Sequence, residues 1–181
     1  FTLLPVAKVL LPDVSREVVP GSGEVGMVAQ GGMVPLGYYK DPEKSAKTFK
    51  EIDGTRYAFI GDMATIDADG TINLLGRGSN CINTGGEKVF PEEVEEALKL
   101  HPDVADALVF GLEDERFGNR VAGVVSLEQG GTAEAGDILE ATRKLLASYK
   151  LPKDLLVVPV VPRAPNGKAD YKSAKALMAD S

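Results

Sequence analysis

The spacing of apolar and polar residues divides the chain into two styles of folding. Up to about Arg77 the apolar residues come in short runs broken by turn formers. Val6 to Leu11 and Val25 to Gln30 read as strands, with a Pro20-Gly21-Ser22-Gly23 turn between them and Gly31-Gly32 after them. Asp41-Pro42-Glu43 starts a helix of about two turns that continues through Ala46 to Phe49, because Asp41 can cap and Pro42 suits the first helical position. Arg56 to Ala64 and Thr71 to Leu75 flank Asp67-Ala68-Asp69-Gly70, whose Asp-Gly pair is turn chemistry, so the two runs predict a β-hairpin.

Beyond Arg77 helix and strand periods alternate. Pro91 to Leu98 has proline at its start, acidic residues in its first turn, and Val94 and Leu98 on one face; His101-Pro102 ends it. Val104 to Phe110 and Val121 to Leu127 read as strands. Ile138, Leu139, Thr142, Leu145, Leu146 and Tyr149 mark the stripe of a second helix. Leu155 to Val161 is a further strand-like run, which Pro159 places at an edge, and Tyr171 to Met178 suits a terminal helix. The change of style near Gly76-Arg77-Gly78-Ser79 predicts a β-rich segment over 1–78, a short hinge, and a small α+β domain over 79–181.

Composition narrows the function classes. With 44% hydrophobic and 26% charged residues, the chain of 181 residues is expected to fold around a core. One cysteine, Cys81, excludes an intramolecular disulfide framework, and one histidine, His101, excludes a multi-histidine metal site. The uncharged stretch from Val25 to Tyr39 is interrupted by glycines and a proline, so no transmembrane segment is expected. A net charge of −7 argues against a nucleic-acid binder. The charge is unevenly spread: residues 87–140 carry 4 basic and 14 acidic side chains, whereas 141–181 carry 8 and 3. That basic end is either the solvated face of a helix or an approach to an anionic ligand such as a polyphosphate. The start on Phe1, with no methionine and no signal pattern, suggests a processed product or a piece of a longer chain.

Taken singly, the candidate sites have plain structural readings. Thr84-Gly85-Gly86-Glu87 either admits a ligand to the backbone or turns a hairpin between Cys81–Asn83 and Lys88–Phe90, and spacing favours the turn. Pro165-Asn166-Gly167-Lys168 projects a cation from a tight turn but is no phosphate-binding P-loop, since Pro162 stands where the first glycine belongs and Ala169 replaces Ser or Thr. Asp62 and Arg77 bracket the predicted hairpin, so strand pairing would set a carboxylate beside a guanidinium, as in any surface ion pair. His101 reads as a helix-end residue and Cys81 as a core thiol. The Asp67–Gly70 loop fails as a calcium loop, because Thr65 and Gly76 fall at ligand positions 1 and 12, and no metal site is expected.

The series of motifs says more than any one of them. Gly37-Tyr38-Tyr39-Lys40-Asp41-Pro42-Glu43-Lys44-Ser45-Ala46, Gly61-Asp62, Asp69-Gly70, Gly76-Arg77, Gly85-Gly86-Glu87-Lys88-Val89-Phe90-Pro91-Glu92-Glu93-Val94-Glu95, Tyr149-Lys150-Leu151-Pro152 and Pro165-Asn166-Gly167-Lys168 occur in an order that resembles the carboxyl-terminal part of the adenylate-forming acyl-CoA synthetases. The resemblance covers essentially the whole chain. It implies an α+β fold in which a β-rich, barrel-like end of a large amino-terminal domain is followed by a small mobile domain. It also implies a two-step reaction: a carboxylic acid, with fatty acids as the leading class, attacks ATP to give acyl-adenylate and pyrophosphate, and coenzyme A then displaces AMP.

By the same resemblance Asp62 would accept from the ribose hydroxyls and Arg77 would assist at the nucleotide. Lys168 would offset charge building at the α-phosphate during adenylation. Gly85, Gly86 and Glu87 would lie beside the pantetheine of coenzyme A after the small domain rotates about Ser79. Mg2+ would come with ATP, held by phosphate oxygens and by groups outside this chain. Three positions depart from the family's pattern: Ser79 stands where Asp or Lys is common, Ile60 where Thr is common, and Tyr171 where a basic residue is common. The family's phosphate loop and most of its acyl pocket lie in upstream sequence, so the chain alone is expected to be inactive. Transfer to a carrier-protein thiol, or a binding module without activity, are the rival readings; cofactor supply and the lack of a targeting pattern point to the cytoplasm.

Overall fold

Ala7–Leu10 (β1) and Gly26–Gln30 (β2) pair antiparallel in the computed structural model, which describes residues 6–179. The chain divides into a first unit ending at Ser79 and a second beginning at Asn80.

In the first unit Pro42–Thr48 (α1) leads into three strands, Phe49–Ile52 (β3), Thr55–Ile66 (β4) and Ile72–Arg77 (β5). Asp41 caps α1 through its carboxylate, which accepts the Lys44 N–H at 3.0 Å, and Pro42 is the first helical residue, as its fixed φ favours. β3 was not anticipated from the sequence. Its cue is Asp53-Gly54: both residues have positive φ, +49° and +71°, the backbone of a two-residue hairpin turn between Ile52 and Thr55. The sheet runs β1-β2-β4-β3, with β5 also on β4. At twelve residues β4 is long enough to pair with β3 at its start and with β5 at its end. Val9 and Leu10 bury themselves on opposite faces, one against Ala64, Ile66 and Ile72, the other against Ala29, Tyr57 and Phe59.

The second unit begins with a small hairpin, Ile82–Thr84 (β6) and Glu87–Val89 (β7), and then the helix Pro91–Lys99 (α2). Val104–Asp114 (β8) and Gly118–Leu127 (β9) pair antiparallel, and after the helix Ala135–Thr142 (α3), Asp154–Val157 (β10) joins β9 in parallel. The helix Tyr171–Ala179 (α4) follows. Both faces of this three-stranded sheet are buried, which is why β8 and β9 read as continuous apolar runs rather than as alternation. Ala107, Val109, Val121 and Val125 meet Val94 and Leu98 of α2 and Ile138 of α3. Leu108, Phe110, Ala122 and Val124 meet Val158, Val161 and Ala174. Each large side chain removed from water contributes about 1.5–3 kcal/mol.

Two expected elements are shorter in the structure. The second helix ends at Thr142, leaving Leu145 and Tyr149 exposed, although Leu146 still packs on the core. Thr142 turns its hydroxyl back to the Ile138 carbonyl at 2.8 Å, a local bond that competes with continued helix. β10 stops at Val157, before Pro159, and leaves Val160 exposed. No helix among the described residues is long and apolar enough to cross a membrane.

Candidate functional site

In the first unit, cross-strand pairing brings together the two residues singled out at the ends of the predicted hairpin. Asp62 on β4 is the register partner of Arg77 on β5, and Arg77 Nε lies 3.0 Å from Asp62 Oδ1. Arg77 Nη1 also donates to the Ile60 carbonyl at 3.2 Å. The Arg77 side chain is 57% exposed and that of Asp62 31%, so the pair adds little to stability. The guanidinium fixes the carboxylate while one contact leaves most of its lone-pair positions able to accept hydroxyl donors. Asp69 is spent on the turn, its carboxylate accepting the Thr71 N–H at 2.9 Å. Ser79 lies in a single 3-10 turn, Gly78–Asn80, immediately after β5.

In the second unit the glycine pair forms the turn of the β6–β7 hairpin, the reading that spacing favours. Gly85 and Gly86 have φ of +59° and +92°, a region costly for any other residue. The Gly85 N–H donates to the Phe117 carbonyl at 3.0 Å, and a Cβ on Gly85 would come within 3.0 Å of the Phe117 ring. A Cβ on Gly86 would meet nothing within 4 Å, so that side of the turn is open to an incoming chain. A cavity of about 260 Å³ adjoins the turn, and its lining includes Gly85, Glu87, Phe117, Tyr149, Leu151 and Lys153. The Lys153 ammonium sits 3.9 Å from the Phe117 ring centroid, giving the apolar cleft a cationic edge. A second hollow, of about 450 Å³, is lined by Glu113, Asp114 and Glu115 and is more open; its acidic lining suits no polyphosphate.

Phe117 and Lys153 were missed by the sequence reading. Lys153 directly follows the Tyr149-Lys150-Leu151-Pro152 motif, which was a usable signal, whereas Phe117 reaches the turn only through the β8–β9 hairpin. The motif itself is anchored by Lys150, whose ammonium bonds both Glu93 oxygens at 2.6 and 2.8 Å.

Lys168 lies on a separate loop, between Val161 and α4. Gly167, at φ +78°, makes the tight turn, and the exposed Lys168 ammonium has no hydrogen bond or ion pair among the described residues. It is displayed rather than engaged. His101 sits at the end of α2, its Nδ1 accepting the Asp103 N–H at 3.2 Å. Cys81 is half-buried, and that burial pushes its thiol up, away from nucleophilic use near neutral pH. Among the described residues no three His, Cys, Asp or Glu side chains gather in a way that would hold a metal ion.

Residues 93–168 match the AMP-binding enzyme C-terminal domain. Over 92% of its length the chain is 52% identical to a 3-oxocholest-4-en-26-oate--CoA ligase of Rhodococcus rhodochrous and to a medium/long-chain-fatty-acid--CoA/3-oxocholest-4-en-26-oate--CoA ligase of Mycolicibacterium smegmatis. It spans 30% of each of those proteins. Among solved structures, o-succinylbenzoate CoA synthetase from Bacillus subtilis, in complex with an acyl-adenylate intermediate, matches 92% of the chain at 28% identity with a TM-score of 0.77; the chain covers 33% of it. Residues 93–168 thus carry the AMP-binding enzyme C-terminal domain, in a chain whose similarity to CoA ligases extends over 92% of its length.

Proposed function

We propose that this chain works as the carboxyl-terminal part of a longer ATP-dependent acyl-CoA synthetase acting on lipophilic carboxylic acids, fatty acids or steroid side-chain acids. In the first half-reaction a carboxylate oxygen attacks the α-phosphorus of ATP and pyrophosphate leaves. In the second, the sulfur of coenzyme A attacks the acyl carbonyl and AMP leaves. The observation that carries the reading is the exposed Lys168 turn and the Asp62–Arg77 pair in a chain 52% identical to named CoA ligases.

Each group suits a distinct task. Asp62, oriented by Arg77, accepts from the ribose hydroxyls, and Arg77 adds fixed donors at the nucleotide. Lys168 brings a positive charge to the oxygens on which negative charge accumulates during adenylation. Gly85 and Gly86 let the pantetheine arm pass close to the backbone, with Glu87 beside it and the Phe117–Lys153 cleft next to it. We assign residues 1–78 to the end of the large amino-terminal domain and 79–181 to a small mobile domain, with Ser79 as the hinge that absorbs the backbone change between the half-reactions. Mg2+ would travel with ATP; this chain's described residues gather no ligand set for it, so no step here runs through it. The need for ATP and coenzyme A points to the cytoplasm.

A carrier-protein thiol as acceptor, or a module without activity, is the weaker reading, since an inactive module has no use for all three of Asp62, Arg77 and Lys168. The test is ATP–pyrophosphate exchange by the full-length parent over a panel of carboxylic acids, wild type against Lys168→Ala. A lipophilic acid is expected to drive exchange, and the variant to lose it about 10²-fold or more. Normal exchange by the variant would refute the role of Lys168, and no exchange with any acid would refute the ligase reading.

A further inference from the structure

No hydrogen bond or ion pair among the described residues fixes the direction of the Lys168 ammonium, so its placement must come from the loop beneath it. The loop is a miniature hairpin. Arg163 and Ala169 form an antiparallel bridge, the Ala164 N–H donates to the Lys168 carbonyl at 2.8 Å, the Gly167 N–H donates to the Ala164 carbonyl at 2.8 Å, and the Lys168 N–H donates to Asn166 Oδ1 at 3.1 Å. Its two flanks are rooted in one apolar cluster, at Val161 and Ala174, which are 3% and 0% exposed. These bonds shape the hairpin, but none of them ties it to β8, so resistance to a tilt of the whole hairpin must come from other contacts.

One side-chain contact opposes that tilt. Arg163 Nε and Nη2 each lie 2.7 Å from a different oxygen of Asp106, a fork-to-fork geometry that removes rotation about the contact. Asp106 is itself held, because its Oδ1 also accepts the Ala107 N–H at 2.9 Å on β8. A second, weaker contact lies past the other end of the hairpin, where Asn80 Nδ2 donates to the Tyr171 hydroxyl at 3.4 Å. We propose that the Arg163–Asp106 pair locks the Lys168 hairpin against β8 and that both are positioning residues for the adenylation half-reaction, a role that rests on the assignment of Lys168 given above. The two side chains are 36% and 30% exposed, so the pair is worth little to stability. Placement is another matter, since an error of about 1 Å at a reacting centre costs up to about 10²-fold in rate. The pair should therefore matter to rate far more than to folding, and to one half-reaction only.

The experiment uses the full-length parent and its Arg163→Ala, Asp106→Ala and Arg163→Lys variants, with Lys168→Ala as reference. ATP–pyrophosphate exchange, thioester formation from supplied acyl-adenylate and coenzyme A, and the melting temperature are measured on each. Arg163→Ala and Asp106→Ala are expected to lower the kcat of exchange about tenfold, with the KM for ATP and the thioester step within about twofold of wild type and little change in Tm. Arg163→Lys is expected to recover only part of the loss, because an ammonium cannot make the two-point contact. Exchange within about twofold of wild type while Lys168→Ala is crippled would overturn the proposal, as would both half-reactions falling together with Tm. If Lys168→Ala itself exchanges normally, the reading of Lys168 fails instead. Amide hydrogen exchange at Ala164 and Gly167 then decides the lock: lost protection in Arg163→Ala upholds it, and unchanged protection overturns it.

Discussion

Gly86 and Asp62 show how differently two candidate site residues are held by the fold. At φ +92° Gly86 occupies backbone that a side chain enters at a cost of about 1–2 kcal/mol, yet a methyl group there would strike nothing. Gly86→Ala is therefore expected to fold with only that loss, and in the parent enzyme to slow thioester formation while leaving ATP–pyrophosphate exchange intact; separate half-reaction assays check this. For Asp62 the geometry is reversed, since the carboxylate is held by Arg77 but contributes little to stability. Asp62→Ala should leave the urea midpoint of the chain almost unchanged and raise the KM for ATP of the parent about tenfold or more, the size expected when a hydrogen-bonded charged acceptor is removed. An unchanged KM would show that ribose is held elsewhere.

Among the elements, α2 carries a group whose ionisation bears on stability. Burial against β8 pushes Glu95 up to about 7, opposed by the Val109 N–H that it accepts at 2.9 Å and by Arg163 and Lys99, and reinforced by Glu92; the Tyr171 phenol nearby is itself pushed up to about 12 by burial. A carboxyl with a raised folded pKa binds its proton more tightly in the folded state, so its stabilisation is present at pH 4–5 and lost as pH rises through 7. With allowance for its partial exposure the loss is on the order of 1–2 kcal/mol. Glu95→Gln should flatten this decline, as urea unfolding at pH 5.5 and pH 8 would show. The elements most legible in the sequence were those with a local chemical marker: Asp41-Pro42 for α1, Pro91-Glu92-Glu93 for α2, Asp69-Gly70 between β4 and β5. β3 had such a marker in Asp53-Gly54, but only four residues of pattern before it. The overrun of α3 had another origin, because Leu145 and Tyr149 keep helical spacing without being buried, and spacing records no depth. Of the candidate site, the local turns were legible, at the two glycines and before Lys168. The candidate site was not legible where β8 and β9 carry Phe117 to the cleft or where Asp106 meets Arg163 across 57 residues.

For the molecule as a whole, the second unit has its own sheet with both faces covered, so a piece from Asn80 to Ser181 is expected to unfold cooperatively by itself. Ile138 of α3 is fully buried in the core cluster that includes Val94 and Leu98 of α2; Ile138→Ala should cost about 2–5 kcal/mol, seen as a shift of the urea midpoint without loss of the transition. Cys81, the chain's single cysteine, sits two residues past Ser79, at the entrance to this unit. A thiol-directed fluorophore or spin label thus finds one address in the chain, beside the segment expected to swing between half-reactions. Because burial keeps that sulfur protonated near neutrality, coupling will be slow at pH 7 and will quicken as the solution is made alkaline. The joint between the units therefore comes with a place to attach a reporter, and its rate of labelling is itself a gauge of how far Cys81 is uncovered.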